Sequence, residues 1–305
     1  MPHTSLVAVV TVVAVFSVAQ RAYGGTCHSP FTCGFLYSGG TYSTLNVPGS
    51  VVTEPFDIND NGVIVGQYYT NDFHSFLYSG GTYTTIDLPG TPWGINNHNE
   101  IVGTAGNNGF LYSGGSSSTI SFPGSVVTSP LDVNDNGDVV GLYKNDLFGP
   151  YSGFEYNGRN YTMIHFPGSF DTETFGINDK DQIVGAYFNN SSYGQENEFM
   201  YSGGVYTTIN LTGVPRRIND KGDILNWYFL YSDGSYKYLS FPGGSSTTNY
   251  GFNDQGEVVG LYSLPAITPL PPALVLFASS LAGIGLLGWC RTPKSSRTGK
   301  LPTIP

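Results

Sequence analysis

The sequence predicts an all-β chain, a closed six-bladed β-propeller of four-stranded antiparallel blades, and three observations predict it. The string Gly34-Phe35-Leu36-Tyr37-Ser38-Gly39-Gly40 recurs in recognisable form at 75–81, 109–115, 153–159, 198–204 and 228–234. A second string built on Ile-Asn places asparagines at Asn59, Asn96, Asn134, Asn178, Asn219 and Asn253, with spacings of 37, 38, 44, 41 and 34. Those spacings fall in the range of propeller blades. Between residues 34 and 263 no apolar stripe of helical period appears. A β-solenoid is the alternative that the repeat length also admits.

Each unit reads as four short strands. In the copy that begins at Ser75, Phe76-Leu77-Tyr78 is a strand, Gly80-Gly81 a turn, and 83–88 its partner, rich in residues that suit a half-buried pleated surface. Gly-Gly becomes Asn157-Gly158 in one copy and Asp233-Gly234 in another, dipeptides that accept the positive φ angles of a primed hairpin turn. Pro-Gly at Pro48, Pro89, Pro123, Pro167 and Pro242 then ends the ladder. A third strand closes on Ile-Asn, and Asp-Asn-Gly turns it into a fourth, 63–68 in the first copy. If a blade runs from Ile-Asn to Pro-Gly, the first hairpin of the chain completes the last blade, two strands from each end. Ring closure of this kind shields strand edges.

The two ends read as addresses. Residues 6–19 are apolar and followed by small residues, the shape of a secretory signal, which assigns 1–24 to a signal peptide and 25–263 to the six-repeat ring. A Pro-rich linker at 264–272 leads to 17 apolar or small residues, 273–289, the lower limit for one transmembrane helix. The basic tail 290–305 carries Arg291, Lys294, Arg297 and Lys300, so it is expected on the cytoplasmic side and the ring outside. The run Thr268-Pro269-Leu270-Pro271-Pro272, the apolar stretch and the basic end resemble a PEP-CTERM sorting tail in a Pro-Leu-Pro variant. That resemblance implies a Gram-negative bacterial cell envelope, an exosortase-like processing enzyme as partner, and exopolysaccharide production nearby.

Charge follows the same division. All 22 acidic residues lie between Glu54 and Glu257, against seven basic ones in that span, a net −15. So acidic a ring argues against nucleic acid as partner. Cys27 and Cys33 are expected to form a small disulfide loop in an exported segment.

The repeated Ile-Asn-Asp-x-Gly followed by Phe-Leu-Tyr-Ser-Gly-Gly resembles the HAF family of extracellular repeats over residues 34 to about 263. The family's His-Ala-Phe is replaced here, for example by His74-Ser75-Phe76 and Asn108-Gly109-Phe110. The resemblance implies location and architecture and transfers no site residues.

Candidate chemistry is sparse. His28, His74, His98 and His165 lie in different units or linkers, without metal or triad spacing, so no catalytic residue and no cofactor is assigned. Asp57-x-Asn59-x-Asn61 and Asp132-x-Asn134-x-Asn136 place oxygens at alternate positions before a glycine, which admits calcium. Turn chemistry, with Asn and Asp side chains bonding nearby amides, explains all six copies. One column around the ring reads Asp57, Gly94, Asp132, Gly176, Arg217, Gly251. With the Ile-Asn strand innermost, its charged members converge on the axis, to clamp a small polar ligand or to neutralise one another. Tyr68, Tyr69, Tyr143, Tyr187, Phe188, Trp227 and Tyr228 follow the Val-Gly strands and read either as core between blades or as exposed aromatics. Of these Tyr69, Tyr143 and Trp227 are ligand candidates, suited to a surface polysaccharide or a matrix protein. The expected function is a non-catalytic, membrane-tethered binding or structural module at the cell surface or in its polysaccharide matrix. The alternative is a glycan lyase or hydrolase with carboxylates near the axis.

Overall fold

A computed structural model describes residues 32–190 and 196–265. The first two strands are β1 (Thr32–Ser38) and β2 (Thr41–Leu45). Blade 1 follows as β3 (Val52–Ile58), β4 (Ile64–Tyr69), β5 (Phe73–Ser79) and β6 (Thr82–Ile86). Blade 2 is β7 (Thr91–Ile95), β8 (Ile101–Ala105), β9 (Asn108–Ser113) and β10 (Ser116–Ile120). Blade 3 is β11 (Val127–Val133), β12 (Val139–Lys144), β13 (Ser152–Tyr156) and β14 (Tyr161–Ile164). Blade 4 is β15 (Asp171–Ile177), β16 (Ile183–Phe188), β17 (Glu196–Ser202) and β18 (Val205–Ile209). Blade 5 is β19 (Arg217–Ile218), β20 (Ile224–Leu225), β21 (Phe229–Ser232) and β22 (Ser235–Tyr238). The last strands, β23 (Ser246–Phe252) and β24 (Val258–Ser263), pair with the first two in the order β2-β1-β24-β23. The chain is therefore a six-bladed β-propeller whose sixth blade takes two strands from each end. β1 zips onto β24 from Thr32↔Ser263 to Tyr37↔Val258.

Each repeated residue has a job within this ring. The glycine after Val-Val lies under the phenylalanine of the next strand. A Cβ on Gly66 would come within 2.7 Å of the Phe76 ring, and one on Gly185 within 2.7 Å of the Phe199 ring. Only glycine admits that close approach, and Phe35, Phe76, Phe110, Phe154 and Phe199 are buried as a result. The tyrosine two or three residues after the turn dipeptide clasps the preceding blade. The hydroxyls of Tyr83, Tyr161, Tyr206 and Tyr236 accept the backbone N–H of Asn46, Ser121, His165 and Thr212 at 2.8–3.1 Å.

The hairpins depart from expectation once. Gly39-Gly40, Gly80-Gly81, Gly114-Gly115, Gly203-Gly204 and Asp233-Gly234 all take positive φ at both positions. At Asn157-Gly158 only the glycine does, because the loop spans 157–160 and closes with Asn157 N–H on Asn160 O.

Cys33 is disulfide-bonded; Cys27, its expected partner, lies outside the described residues. The signal segment 1–24, the linker beyond residue 265, the 273–289 segment and the basic tail lie outside them as well. Among the described residues no helix is long and apolar enough to cross a membrane.

Candidate functional site at the propeller axis

The innermost strands β3, β7, β11, β15, β19 and β23 line the axis, which has two chemically different ends. At one end the Asn-Asp turns form two closed hydrogen-bond rings. Asn59 Nδ2 donates to Asn96 O, Asn96 to Asn134 O, Asn134 to Asn178 O, Asn178 to Asn219 O, Asn219 to Asn253 O, and Asn253 back to Asn59 O, over 2.8–3.5 Å. Each asparagine Oδ1 meanwhile accepts backbone amides of its own turn, as Asn59 does from Asn61 and Val63. The next residue repeats the circuit. The backbone N–H of Asp60, Asn97, Asp135, Asp179, Asp220 and Asp254 each donates to the side chain of the next in turn, at 2.7–2.8 Å.

The calcium candidates Asp57, Asn59, Asn61, Asp132, Asn134 and Asn136 therefore sit where side-chain oxygens already hold backbone amides or, at Asn61 and Asn136, where the amide bonds the neighbouring turn. Among the described residues no group of three or more His, Cys, Asp or Glu is placed to hold a metal ion. The cavity at this end, about 80 Å³ and lined by Asp60, Asn97, Asp135, Asp179, Asp220 and Asp254 among others, has room for a few waters.

The middle of the axis is closed by charge. Arg217 crosses it with Nε 3.6 Å from Asp57 Oδ1 and 3.7 Å from Asp132 Oδ1. Its Nη2 donates to Trp93 O at 2.6 Å, and Nη1 to Phe175 O and Arg216 O. Asp57 Oδ2 accepts Ile95 N–H and Asp132 Oδ2 accepts Ile177 N–H, each 3.0 Å and each in the next blade. The alternating glycines make room. A Cβ on Gly251 would lie 2.3 Å from Asp57 Oδ1, one on Gly176 2.8 Å from Arg217 Cα, and one on Gly94 3.0 Å from Asp132 Cα. Burial pushes both carboxyls up and the guanidinium draws them back down. With one cation for two acids, proton uptake belongs to the pair rather than to either residue. Asp57, Asp132 and Arg217 thus meet, and what they hold is one another.

The other end is aromatic. Five inner strands carry a β-bulge where their register shifts, between Pro55 and Asp57, Pro92 and Gly94, Pro130 and Asp132, Thr174 and Gly176, and Asn249 and Gly251. A bulge re-aims the extra residue. Those residues, with Arg216 in the sixth position, form a collar of Phe56, Trp93, Leu131, Phe175, Arg216 and Tyr250. Phe56 contacts Trp93 at 5.0 Å and Tyr250 at 5.8 Å between ring centroids, and Tyr250 meets Trp227 edge-on at 5.5 Å. Trp93, Trp227 and Tyr250 remain partly exposed.

Blade 5 supplies the charge in this collar, and it is also the irregular blade. Asn226 stands where the other blades have glycine, β20 stops after Leu225, and Asn226 Oδ1 instead accepts the N–H groups of Tyr228 and Phe229. That tight loop presents Trp227, over whose ring Arg216 lies at 4.0 Å; the Phe175 ring is 5.5 Å away. Arg216 is 5% exposed, and its Nε and Nη1 are buried without a hydrogen-bond partner. Desolvation lowers its pKa to about 9. Glu173, equally buried, is pushed up to about 8, first by desolvation and then by Asp171 and Glu196. Burial also raises Glu54 and Tyr250, and Glu54 raises Tyr250 further.

Tyr143 is a correction: it is 3% exposed and packs into the core of its blade. It stacks at 3.7 Å on Phe122, which precedes a Pro-Gly turn. Tyr187 on Phe166 repeats the arrangement, and Phe188 is likewise buried. Tyr69 is partly exposed and packs on Phe73 at 5.1 Å, and Trp227 is the sequence candidate that reaches the aromatic end. Glu54, Glu173 and Arg216 were missed. The prolines at 55, 92 and 130 were the available signal, since proline inside an inner strand marks a bulge.

The raised carboxyls have a consequence for stability. Glu173 at about 8, Glu196 at about 7 and Asp179 at about 6 bind protons more tightly folded than unfolded. The stability they confer is complete below pH 4 and is lost as pH rises to 8. Glu173 alone is worth on the order of 3 kcal/mol. The Tm at pH 5 should exceed that at pH 8 by at least about 6 °C, and Glu173→Gln should flatten the profile. A profile unchanged by that substitution would place Glu173 in a solvated site.

No family model matches the chain, and no curated protein is significantly similar to it. Solved structures are similar in fold. Virginiamycin B lyase from Staphylococcus aureus has 12% identity and a TM-score of 0.45, covering 79% of this chain and 99% of that one. A protein designated TolB from Agrobacterium tumefaciens has 10% identity and a TM-score of 0.47, covering 74% and 80%. Aleuria aurantia lectin has 12% identity and a TM-score of 0.36, covering 75% and 88%. None transfers an activity.

Proposed function

We propose that this chain is a non-catalytic saccharide-binding module, exported and tethered to the membrane at the cell surface or in its exopolysaccharide matrix, and that it binds at the aromatic end of the axis. The observation that carries the reading is the collar itself. Trp93, Trp227 and Tyr250 are partly exposed around an axis that Arg217, Asp57 and Asp132 close beneath them. Flat rings beside a few polar groups suit the faces and hydroxyls of sugars.

Delivery rests on the sorting-tail resemblance, with an exosortase-like enzyme as processing partner. The carbohydrate-active enzyme stays as the second reading because burial pushes Glu173 up to about 8, toward the protonated form a general acid needs.

A glycan array probed with the purified chain, with product analysis of every hit, separates these readings. Binding without cleavage, weakened at least about tenfold by Trp227→Ala, is the expected result. Cleavage would replace the module with an enzyme, and an array without hits would leave a spacer.

A further inference from the structure

Among the charged side chains around the axis, Arg216 keeps two N–H groups without a hydrogen bond. Its guanidinium lies between Trp227 and Phe175 with Nε and Nη1 buried and unbonded. The ion pairs among the described residues both belong to Arg217. A buried cation in this state costs several kcal/mol unless something completes it. The collar offers no structural need for it, since the other five blades place Phe, Trp, Leu, Phe and Tyr at the same position. Glu173 is its acidic neighbour, but no ion pair joins the two, and an arginine buried with Nε and Nη1 unbonded beside partly exposed aromatics can receive one negative charge.

From this we infer, on the premise that the aromatic end binds saccharide, that its ligand is a uronic acid residue of an acidic polysaccharide. Arg216 receives the carboxylate, and the rings of Trp93, Trp227 and Tyr250 receive the sugar. The planar guanidinium fork matches a carboxylate. The neighbouring acids set the ligand's charge. Glu173 and Glu54 both lie near Arg216 or its neighbour Tyr250, so a phosphate dianion would face repulsion from them. A single carboxylate matches the one positive charge of Arg216.

The test compares binding of three oligosaccharides of equal length to the full chain at pH 7, by calorimetry. They are oligogalacturonate, its carboxyl-reduced neutral counterpart, and a sulfated neutral oligosaccharide. The expected result is binding of oligogalacturonate at least about tenfold tighter than of the other two, with the preference erased by Arg216→Met and largely kept by Arg216→Lys. Methionine roughly matches the buried stem in volume, so the variant should fold. If it does not, the wild-type comparison decides alone. Equal binding of the acidic and neutral ligands would overturn the uronate assignment and leave the saccharide module standing. Tighter binding of the sulfated ligand would overturn the carboxylate assignment. No binding of any of the three would overturn this inference, and the array would show whether the module falls with it.

Discussion

A chain begun at Gly49, lacking both strands that close the ring, should not reach the native fold. The sixth blade would lose β1 and β2, and with them Cys33, Phe35, Tyr37, Leu45 and Val47, all buried. Burying a large apolar side chain contributes about 1.5–3 kcal/mol, so Phe35, Tyr37 and Leu45 together account for roughly 5–8 kcal/mol. That is comparable to the whole stability of a typical domain, about 5–15 kcal/mol. The truncation also bares β24 along its length from Val258 to Ser263, and a naked, apolar edge strand invites association with other chains. Near-UV circular dichroism should show loss of fixed aromatic packing, and gel filtration should show aggregates. Adding a peptide of residues 25–47 in trans should restore part of the signal, because the missing hairpin pairs with a preformed edge. Cooperative unfolding of the truncated chain within a few degrees of the intact one would show that closure contributes little.

The closure was readable in the sequence for a physical reason. Every repeated residue does something that must be done once per blade. Gly66 admits the Phe76 ring, the Tyr83 hydroxyl clasps Asn46, and Asn59 joins its turn to the next. A requirement repeated six times leaves six copies, and counting them gives the number of blades and the residues where the ring begins and ends.

The functional end was less readable for the converse reason: it is built from departures. The column of Asp57, Gly94, Asp132, Gly176, Arg217 and Gly251 was visible because it sits beside Ile-Asn. The column one residue earlier holds Phe56, Trp93, Leu131, Phe175, Arg216 and Tyr250 and aligns as easily. Strand alternation, however, places neighbours on opposite faces, and nothing in that rule brings Phe56 and Asp57 to the same axis. The bulge does so, in five blades. Tyr143 failed in the opposite direction. Its place after Val-Gly suggested a free ring, but Phe122 arrives from the Pro-Gly loop and covers it. Loop-to-strand stacking of that kind is a tertiary fact that spacing alone does not carry.

Replacing Arg217 by methionine should destabilise the ring by about 3–5 kcal/mol at pH 8, with the loss shrinking on acidification. Among the described residues the guanidinium is the one cation paired with Asp57 and Asp132, and it also bonds three carbonyls of the collar, those of Trp93, Phe175 and Arg216. Without it two carboxylates remain in a dry axis, and burial raises both further. A carboxyl whose folded pKa lies above its unfolded value confers stability below the unfolded value and loses it as pH rises through the folded one. The variant should therefore unfold closer to wild type at pH 4–5 and far below it at pH 8. Adding Asp57→Asn and Asp132→Asn should recover most of the loss at pH 8, because asparagine keeps an oxygen for Ile95 N–H and Ile177 N–H while removing the charge. Urea denaturation of the three proteins at both pH values measures this directly. A deficit equal at the two pH values, or unrelieved by the asparagines, would mean that Arg217 holds the axis through its carbonyl contacts alone. The distinction reaches the binding end, because those carbonyls belong to Trp93, Phe175 and Arg216. If charge closes the axis, the collar rests on a floor that hardens as pH falls, and affinity at the aromatic end should rise with stability in the Asp57→Asn, Asp132→Asn, Arg217→Met series.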